Sequence, residues 1–145
     1  KNDLTEGEYY AKSKWFKFVG TTLNRVNEKI SIGNEANSSP IIESLLFIRN
    51  KEFPPASLID DGKSYKIIIL SDMIQNSSLT SHYKGLEDHE SVIRKKPGSF
   101  YGVELKIIHL INKKYLKYIT VENQTWWRKY FSNVNGRIIG WTPSG

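Results

Sequence analysis

The 145-residue sequence has no cysteine, which excludes disulfide bonds, thiolate zinc sites and cysteine nucleophiles. It also has no long apolar run: the longest, at 67–70 and 107–111, fall far short of the roughly 18 residues that a membrane span needs. No secretion signal is visible, because the first apolar cluster begins near Trp15, among lysines. We therefore expect a cytoplasmic protein with no membrane partner.

Acidic residues are in the minority, with 15 Asp and Glu against 21 Lys and Arg and a formal net charge of +6. The basic residues are scattered, and the short runs at 94–96 and 113–114 form no stripe with aromatic platforms of the kind that binds nucleic acid. We interpret the charge as a solubility feature and keep a nucleic-acid-associated accessory protein as an alternative. The length and the apolar share of 39% predict a single domain over 1–145.

Apolar residues that recur every three or four positions predict three helices. The first covers 5–28, and the third covers 121–133, where aromatic residues pair at a spacing of four. The second runs over about 40–49. Ser39 is expected to cap its N-terminus, and Pro40 suits the first helical position because its missing N–H costs nothing there.

Three aliphatic segments predict strands, at 65–71, 103–111 and 137–142. The first contains four consecutive aliphatic residues, which indicates a strand covered on both faces. A long polar excursion over 75–101, with room for a short helix, separates it from the second. Strands joined by such long crossovers are parallel. The sequence therefore predicts an α/β fold of three layers: an open, mostly parallel sheet with helices on both faces.

The strand over 66–71 is the first strand in the chain, so one of its edges is expected to be bare. Proteins normally cover a flat aliphatic edge, because its unpaired backbone groups invite other strands. We therefore predict that another strand pairs beside Ile67–Leu70, supplied by a protein partner or by a missing N-terminal part of the same protein. The competing interpretation is that 1–10 or 29–33 supplies an edge strand, although neither is apolar over enough residues.

Common catalytic signatures are absent: the sequence has no G-x-S-x-G, H-E-x-x-H, P-loop or G-x-G-x-x-G motif. We therefore expect no enzymatic activity. The acidic cluster at 87–90 could bind a cation, but a solvated charge run explains it equally simply.

Two polar residues stand where ligands bind in open α/β sheets, beyond the carboxyl ends of the strands. Asp72 directly follows the buried strand, and Ser39 opens a helix. A carboxylate and a hydroxyl are hard oxygen ligands of the kind that Mg²⁺ prefers. The alternative is that both residues are only caps, Ser39 of its helix and Asp72 of the segment that follows it.

Several short motifs resemble the von Willebrand factor A-type (VWA) domain, most closely its divergent bacterial members. The family opens a helix with T-x-x-x-x-A-L, which is similar to SPIIESL at 39–45. It ends an apolar strand with T-D-G or S-D-G, which is similar to S-D-M at 71–73, and its next strand, G-V-x-V, is similar to GVEL at 102–105. The aromatic helix and the strand over 136–141 match the last elements of the family, so the resemblance spans roughly 35–142.

The resemblance implies a non-enzymatic protein-binding module with a magnesium site at the strand ends. Ser39 would supply a hydroxyl ligand and Asp72 a direct or water-mediated carboxylate ligand. The family's main ligands lie in D-x-S-x-S at the end of a central strand that this sequence lacks. The resemblance therefore implies that the chain is the C-terminal portion of such a domain, in agreement with its start at Lys1 rather than Met. A metal-free structural component of a larger assembly is the alternative.

Overall fold

A computed structural model describes residues 38–60 and 62–144, all of them within the compact unit that begins at Ser38. The helix predicted over 5–28 lies outside the described residues. Within the described residues lie three α-helices and three strands in alternation: α1 Ile41–Glu52, β1 Tyr65–Ser71, α2 His89–Lys95, β2 Val103–Leu110, α3 Val121–Asn133 and β3 Arg137–Ser144. Short 3-10 helices lie at Ala56–Leu58, His82–Lys84 and Lys113–Tyr118. In this part of the chain no helix combines the length and apolar character needed to cross a membrane.

The three strands form one parallel sheet in the order β1-β2-β3. Ile67 lies opposite Leu105, and Ile69 lies opposite Ile107. The pairing of β2 with β3 shifts register between Leu105 and Lys106, which is a local irregularity in an otherwise regular ladder. The α/β class and the parallel pairing predicted from the crossover lengths are confirmed.

One face of the sheet carries the core. Five alternate residues of β1 and β2 are buried on this face, namely Ile67, Ile69, Val103, Leu105 and Ile107. They form one hydrophobic cluster with buried residues of all three helices: Ile42, Leu45 and Leu46 of α1, Val92 of α2, and Trp126, Trp127, Tyr130 and Phe131 of α3. The described helices therefore share a single apolar layer with the sheet.

The opposite face of the sheet is less buried, as far as the described residues go. Ile68 is 40% exposed, whereas its neighbour Ile67 is 8% exposed. Lys66 and Lys106 are also exposed on this side. Isoleucines occupy both faces of β1, so the aliphatic run conceals the difference in exposure between Ile67 and Ile68.

β1 is an edge strand in the described sheet, with β2 on one side only. The Tyr65 N–H donates to Gly102 O (2.9 Å), which directs the odd-numbered residues of β1 toward β2. Since backbone direction alternates along a strand, the N–H and C=O groups of Lys66, Ile68 and Leu70 point toward the open edge. The strand therefore offers three outward residues to a further strand.

The one-sided core predicts different costs for truncating two adjacent isoleucines. Ile67→Ala should lower the free energy of unfolding by about 3 kcal/mol, because it leaves a cavity in the buried layer. Ile68→Ala, the matched control, should cost less than about 1 kcal/mol, because the side chain is already partly in water. Urea unfolding followed by tryptophan fluorescence measures both. Equal losses would mean that the second face is packed as tightly as the first.

Candidate functional site

The chain turns sharply where β1 ends. The Ser71 hydroxyl accepts a hydrogen bond from the Met73 N–H (3.0 Å), and Asp72 Oδ1 accepts one from the Ile74 N–H (3.1 Å). Met73 adopts a positive φ of 56°, which is costly for a residue with a side chain. Its side chain is fully buried, and Trp127 Nε1 donates to its carbonyl (2.7 Å). Packing and hydrogen bonds therefore hold a strained turn at the carboxyl end of the strand.

Asp72 is partly buried at this turn. Burial raises the pKa of its carboxyl above the ordinary value, while the hydrogen bond from the Ile74 amide acts in the opposite direction. His109 contacts the Asp72 carbonyl through Nε2 (3.1 Å), and its Nδ1 accepts from Trp141 Nε1 (3.1 Å). Because an indole can only donate, the Nδ1 atom of His109 is the acceptor and its proton lies on Nε2. The Nε2–H therefore donates a hydrogen bond to the Asp72 carbonyl. A chain of hydrogen bonds from β3 through β2 thus fixes the backbone of Asp72.

Ser39 does not cap α1, contrary to the sequence-based prediction. The helix begins at Ile41, and its N-cap residue, Pro40, makes no side-chain capping bond. Ser39 instead forms an antiparallel bridge with Asn76: its N–H donates to Asn76 O (2.7 Å), and its carbonyl accepts from Asn76 N (3.0 Å). The bridge places Ser39 alongside the loop that Asp72 opens, although no hydrogen bond between Ser39 and Asp72 is seen among the described residues.

The capping group for α1 is Gln75, which is fully buried in that loop. Its Oε1 accepts from the Ile42 N–H (3.0 Å), 33 residues earlier in the chain. Its Nε2 donates to Glu43 Oε2 (2.9 Å) and to the Ser77 hydroxyl (2.9 Å), and Ser77 in turn donates to Glu43. One amide side chain therefore satisfies the first turn of α1 and holds the loop against it.

His82 connects the same loop to α3. Its Nδ1 accepts from the Gln75 N–H (3.3 Å) and lies 2.8 Å from Asn123 Nδ2, so its proton resides on Nε2. Nε2 is buried without a hydrogen-bond partner, and the ring lies against the edges of Trp126 and Trp127. Burial lowers the pKa of His82 to about 4. A neutral imidazole sealed among aromatic rings holds the loop in place and does not face solvent as a proton acceptor.

Two residues at this end of the sheet, Ser39 and Asp72, were predicted from the sequence. Gln75 and His82, whose hydrogen bonds hold the loop in place, were not. Ser39 and Asp72 lie on the two sides of the same loop, as expected from their positions beyond a strand end and before a helix. Gln75 and His82 fall within the segment that was interpreted as a polar excursion. Nothing in their spacing marks them, because their partners lie 33 and 41 residues away in the chain.

The residues present fall short of a complete magnesium site. In the described ranges, no group of three or more His, Asp and Glu side chains is placed to hold a metal ion. Ser39 and Asp72 would supply two oxygen donors, whereas Mg²⁺ needs an octahedron of six, only some of them water. Any such site therefore requires ligands from outside the described residues.

Comparison with known proteins adds no relative: no protein-family model, no curated protein and no solved structure matches the sequence.

The burial of His82 predicts a loss of stability in mild acid. The unfolded chain takes up this proton near pH 6.5 and the folded chain only near pH 4, so the unfolded state binds more protons between these values. The free energy of unfolding should therefore fall by about 3 kcal/mol from pH 6.5 to 4 on account of His82. Asp72, whose pKa is raised, opposes this trend at the acid end.

Urea unfolding at half-unit pH steps measures the trend in the wild type and in His82→Gln. The variant should be less stable at pH 7, because buried hydrogen bonds are lost, but its stability should vary much less between pH 6.5 and 4. An unchanged slope in the variant would show that other groups cause the acid sensitivity.

Proposed function

We propose that the chain is a non-enzymatic, VWA-like protein-binding module that accepts a parallel β-strand from its partner beside β1. The observation that carries this proposal is the edge of β1 that no described strand covers, where Lys66, Ile68 and Leu70 direct their backbone groups away from β2. Adding a strand to an open edge is a general mode of protein recognition, in which backbone hydrogen bonds give affinity and alternate side chains give specificity.

The residues of β1 favour pairing with a further strand over protection of the edge from such pairing. Proteins usually protect an exposed edge with lysines, prolines, bulges or a short strand. β1 has seven residues and no proline, its single lysine, Lys66, lies near its start, and its regular register with β2 runs along its whole length. A regular aliphatic strand with one free edge is therefore well suited to pairing, and the exposed side chain of Ile68 would add apolar contact.

A magnesium ion is part of the proposal only together with the partner. Neighbouring parallel strands end at the same edge of a sheet, so a strand beside β1 would bring its following residues close to Asp72. Carboxylates from those residues could join Asp72 and the Ser39 hydroxyl as ligands of the ion. The VWA resemblance of 39–45 and 71–73 is the reason to propose this metal rather than another.

A metal-free structural component of a larger assembly is the second candidate. The observation that favours it is the hydrogen bond from Ile74 N to Asp72 Oδ1, which gives the carboxylate a structural role in the turn. In that case the strand pairing would be permanent, and Asp72 would only stabilise the turn after β1.

Blocking the open edge tests the strand pairing. Ile68→Pro removes an N–H that points away from β2, so the β1–β2 ladder should survive while the added strand loses a hydrogen bond. Ile68→Ala is the matched control, because it shortens the side chain and keeps the N–H. A partner captured from the native cell extract should bind the wild type and the alanine variant, and bind the proline variant at least about tenfold more weakly.

Amide hydrogen exchange on the wild type tests the same pairing without a variant. The Ile68 and Leu70 amides should exchange quickly in the isolated chain, and slowly when the partner is bound. Partner binding that leaves these two amides unprotected, or that survives Ile68→Pro undiminished, would contradict strand addition at this edge.

Magnesium separates the two candidate functions. If the ion bridges the partner and the strand ends, removing Mg²⁺ with EDTA should weaken the complex at least about tenfold, and Asp72→Asn should bind equally weakly with or without Mg²⁺. Asp60→Asn is the matched control, since Asp60 is an exposed carboxylate before β1. Calorimetric titration of the partner at both ion conditions measures the effect. Affinity that is independent of Mg²⁺ would favour the metal-free structural component.

A further inference from the structure

Two loops that follow β1 and β2 meet beyond the carboxyl ends of these strands. Tyr83, in the loop after β1, packs edge-on against Tyr118 with ring centres 4.7 Å apart, and lies 6.0 Å from the ring of Tyr115. Both partners belong to the 3-10 helix Lys113–Tyr118, which follows β2. We call the surface formed by 83–86 and 111–118 the tyrosine–lysine surface.

This surface is basic and has no acidic residue of its own. It carries four exposed lysines, Lys84, Lys113, Lys114 and Lys117, whereas neither 82–86 nor 109–121 contains an Asp or Glu. Lys114 and Lys117 lie over the rings of Tyr115 and Tyr118, at 5.5 and 4.8 Å. The nearest carboxylate in the first loop, Glu87, forms an ion pair with Lys95 (2.6 Å). The two loops together therefore concentrate positive charge in a chain whose charges are otherwise mixed.

Large aliphatic side chains stand among these lysines. Leu116 is 51% exposed, Ile111 is 49% exposed and Leu86 is 40% exposed. Exposed aliphatic groups contribute nothing to solubility and gain free energy when they leave water. The surface thus combines cations, tyrosines and exposed aliphatic groups, and each has a place at the boundary of an anionic bilayer: lysines at the headgroups, tyrosines at the interface and aliphatic groups in the acyl layer.

We propose that the tyrosine–lysine surface binds peripherally to membranes that contain anionic lipids. The expectation of no membrane partner rests on the lack of a spanning segment, and a surface that lies on the bilayer needs none. Nucleic acid fits the same charges less well. Its bases need free aromatic faces, whereas Tyr83 and Tyr118 pack against each other and lysines lie over Tyr115 and Tyr118. The exposed Leu116 and Ile111 would also find no partner on a phosphate backbone.

Vesicle sedimentation tests the proposal with the 145-residue chain. Vesicles of phosphatidylcholine and phosphatidylserine in a 7:3 ratio should bind the wild type, whereas pure phosphatidylcholine vesicles should bind it at least about tenfold more weakly. Binding should decline between 50 and 500 mM NaCl, because salt screens the lysines. The double substitution Lys113→Glu with Lys117→Glu should lower the partition coefficient at least about 25-fold, at about fivefold per lysine. Leu116→Ser should lower it about fivefold through lost insertion.

The matched control is Lys51→Glu with Lys129→Glu, which makes the same change in net charge on exposed lysines of α1 and α3. It should keep at least half of the wild-type binding. Circular dichroism of each variant confirms that it is folded.

Three results would overturn the proposal. The first is wild-type binding that is absent, or equal for the two kinds of vesicle. The second is a control variant that loses as much binding as the surface variant, since net charge alone would then account for the effect. The third is tighter binding to a 20-nucleotide oligo-dT than to vesicles, with Leu116→Ser unaffected, which would assign the surface to nucleic acid.

Discussion

The apolar contact between one sheet face and the helices is the constraint on which the rest of the described structure depends. Trp127 and Phe131 of α3 and Leu105 of β2 are all fully buried in this single layer. A three-stranded sheet has two faces and two edges, and the described helices use one face. Ile68 of β1 on the other face, and the β1 backbone on the far side from β2, are consequently left available to segments outside the described residues.

The loop after β1 is positioned by a buried polar network rather than by apolar packing. Gln75 and His82 are both buried, and leaving such groups without partners costs about 1–3 kcal/mol each. Gln75 meets this demand at the start of α1, and His82 meets it at Nδ1 only, through Asn123 in α3. The loop is therefore attached to two helices at once. As a result, Ser39 and the turn at Asp72 have defined places at the carboxyl end of the sheet.

Local patterns predicted the elements well and the long-range contacts poorly. The strand at 65–71 and the helix at 121–133 were located at the observed bounds, because aliphatic runs and helical periodicity are encoded within a few residues. Ser39 was placed at a helix cap because Ser before Pro favours one, yet Gln75 takes that role from the other side of the fold. The exposure of the Ile68 side chain was not predicted for a different reason. A strand with isoleucine on both faces shows no alternation of apolar and polar residues in its sequence.

The carboxyl end of β1 and the tyrosine–lysine surface lie at the same end of the sheet, because the loops that form the surface follow β1 and β2. A parallel strand beside β1 would run in the same direction and end near Asp72, whose turn leads into the loop that carries Tyr83. The carbonyl of Asp72 is held by His109, and β2 continues from His109 toward the second loop of the surface. Chain segments that bind at the edge are therefore expected to emerge beside the surface. A position at a strand end thus gives both regions access to the same side of the molecule, which is the side where open α/β sheets bind their ligands.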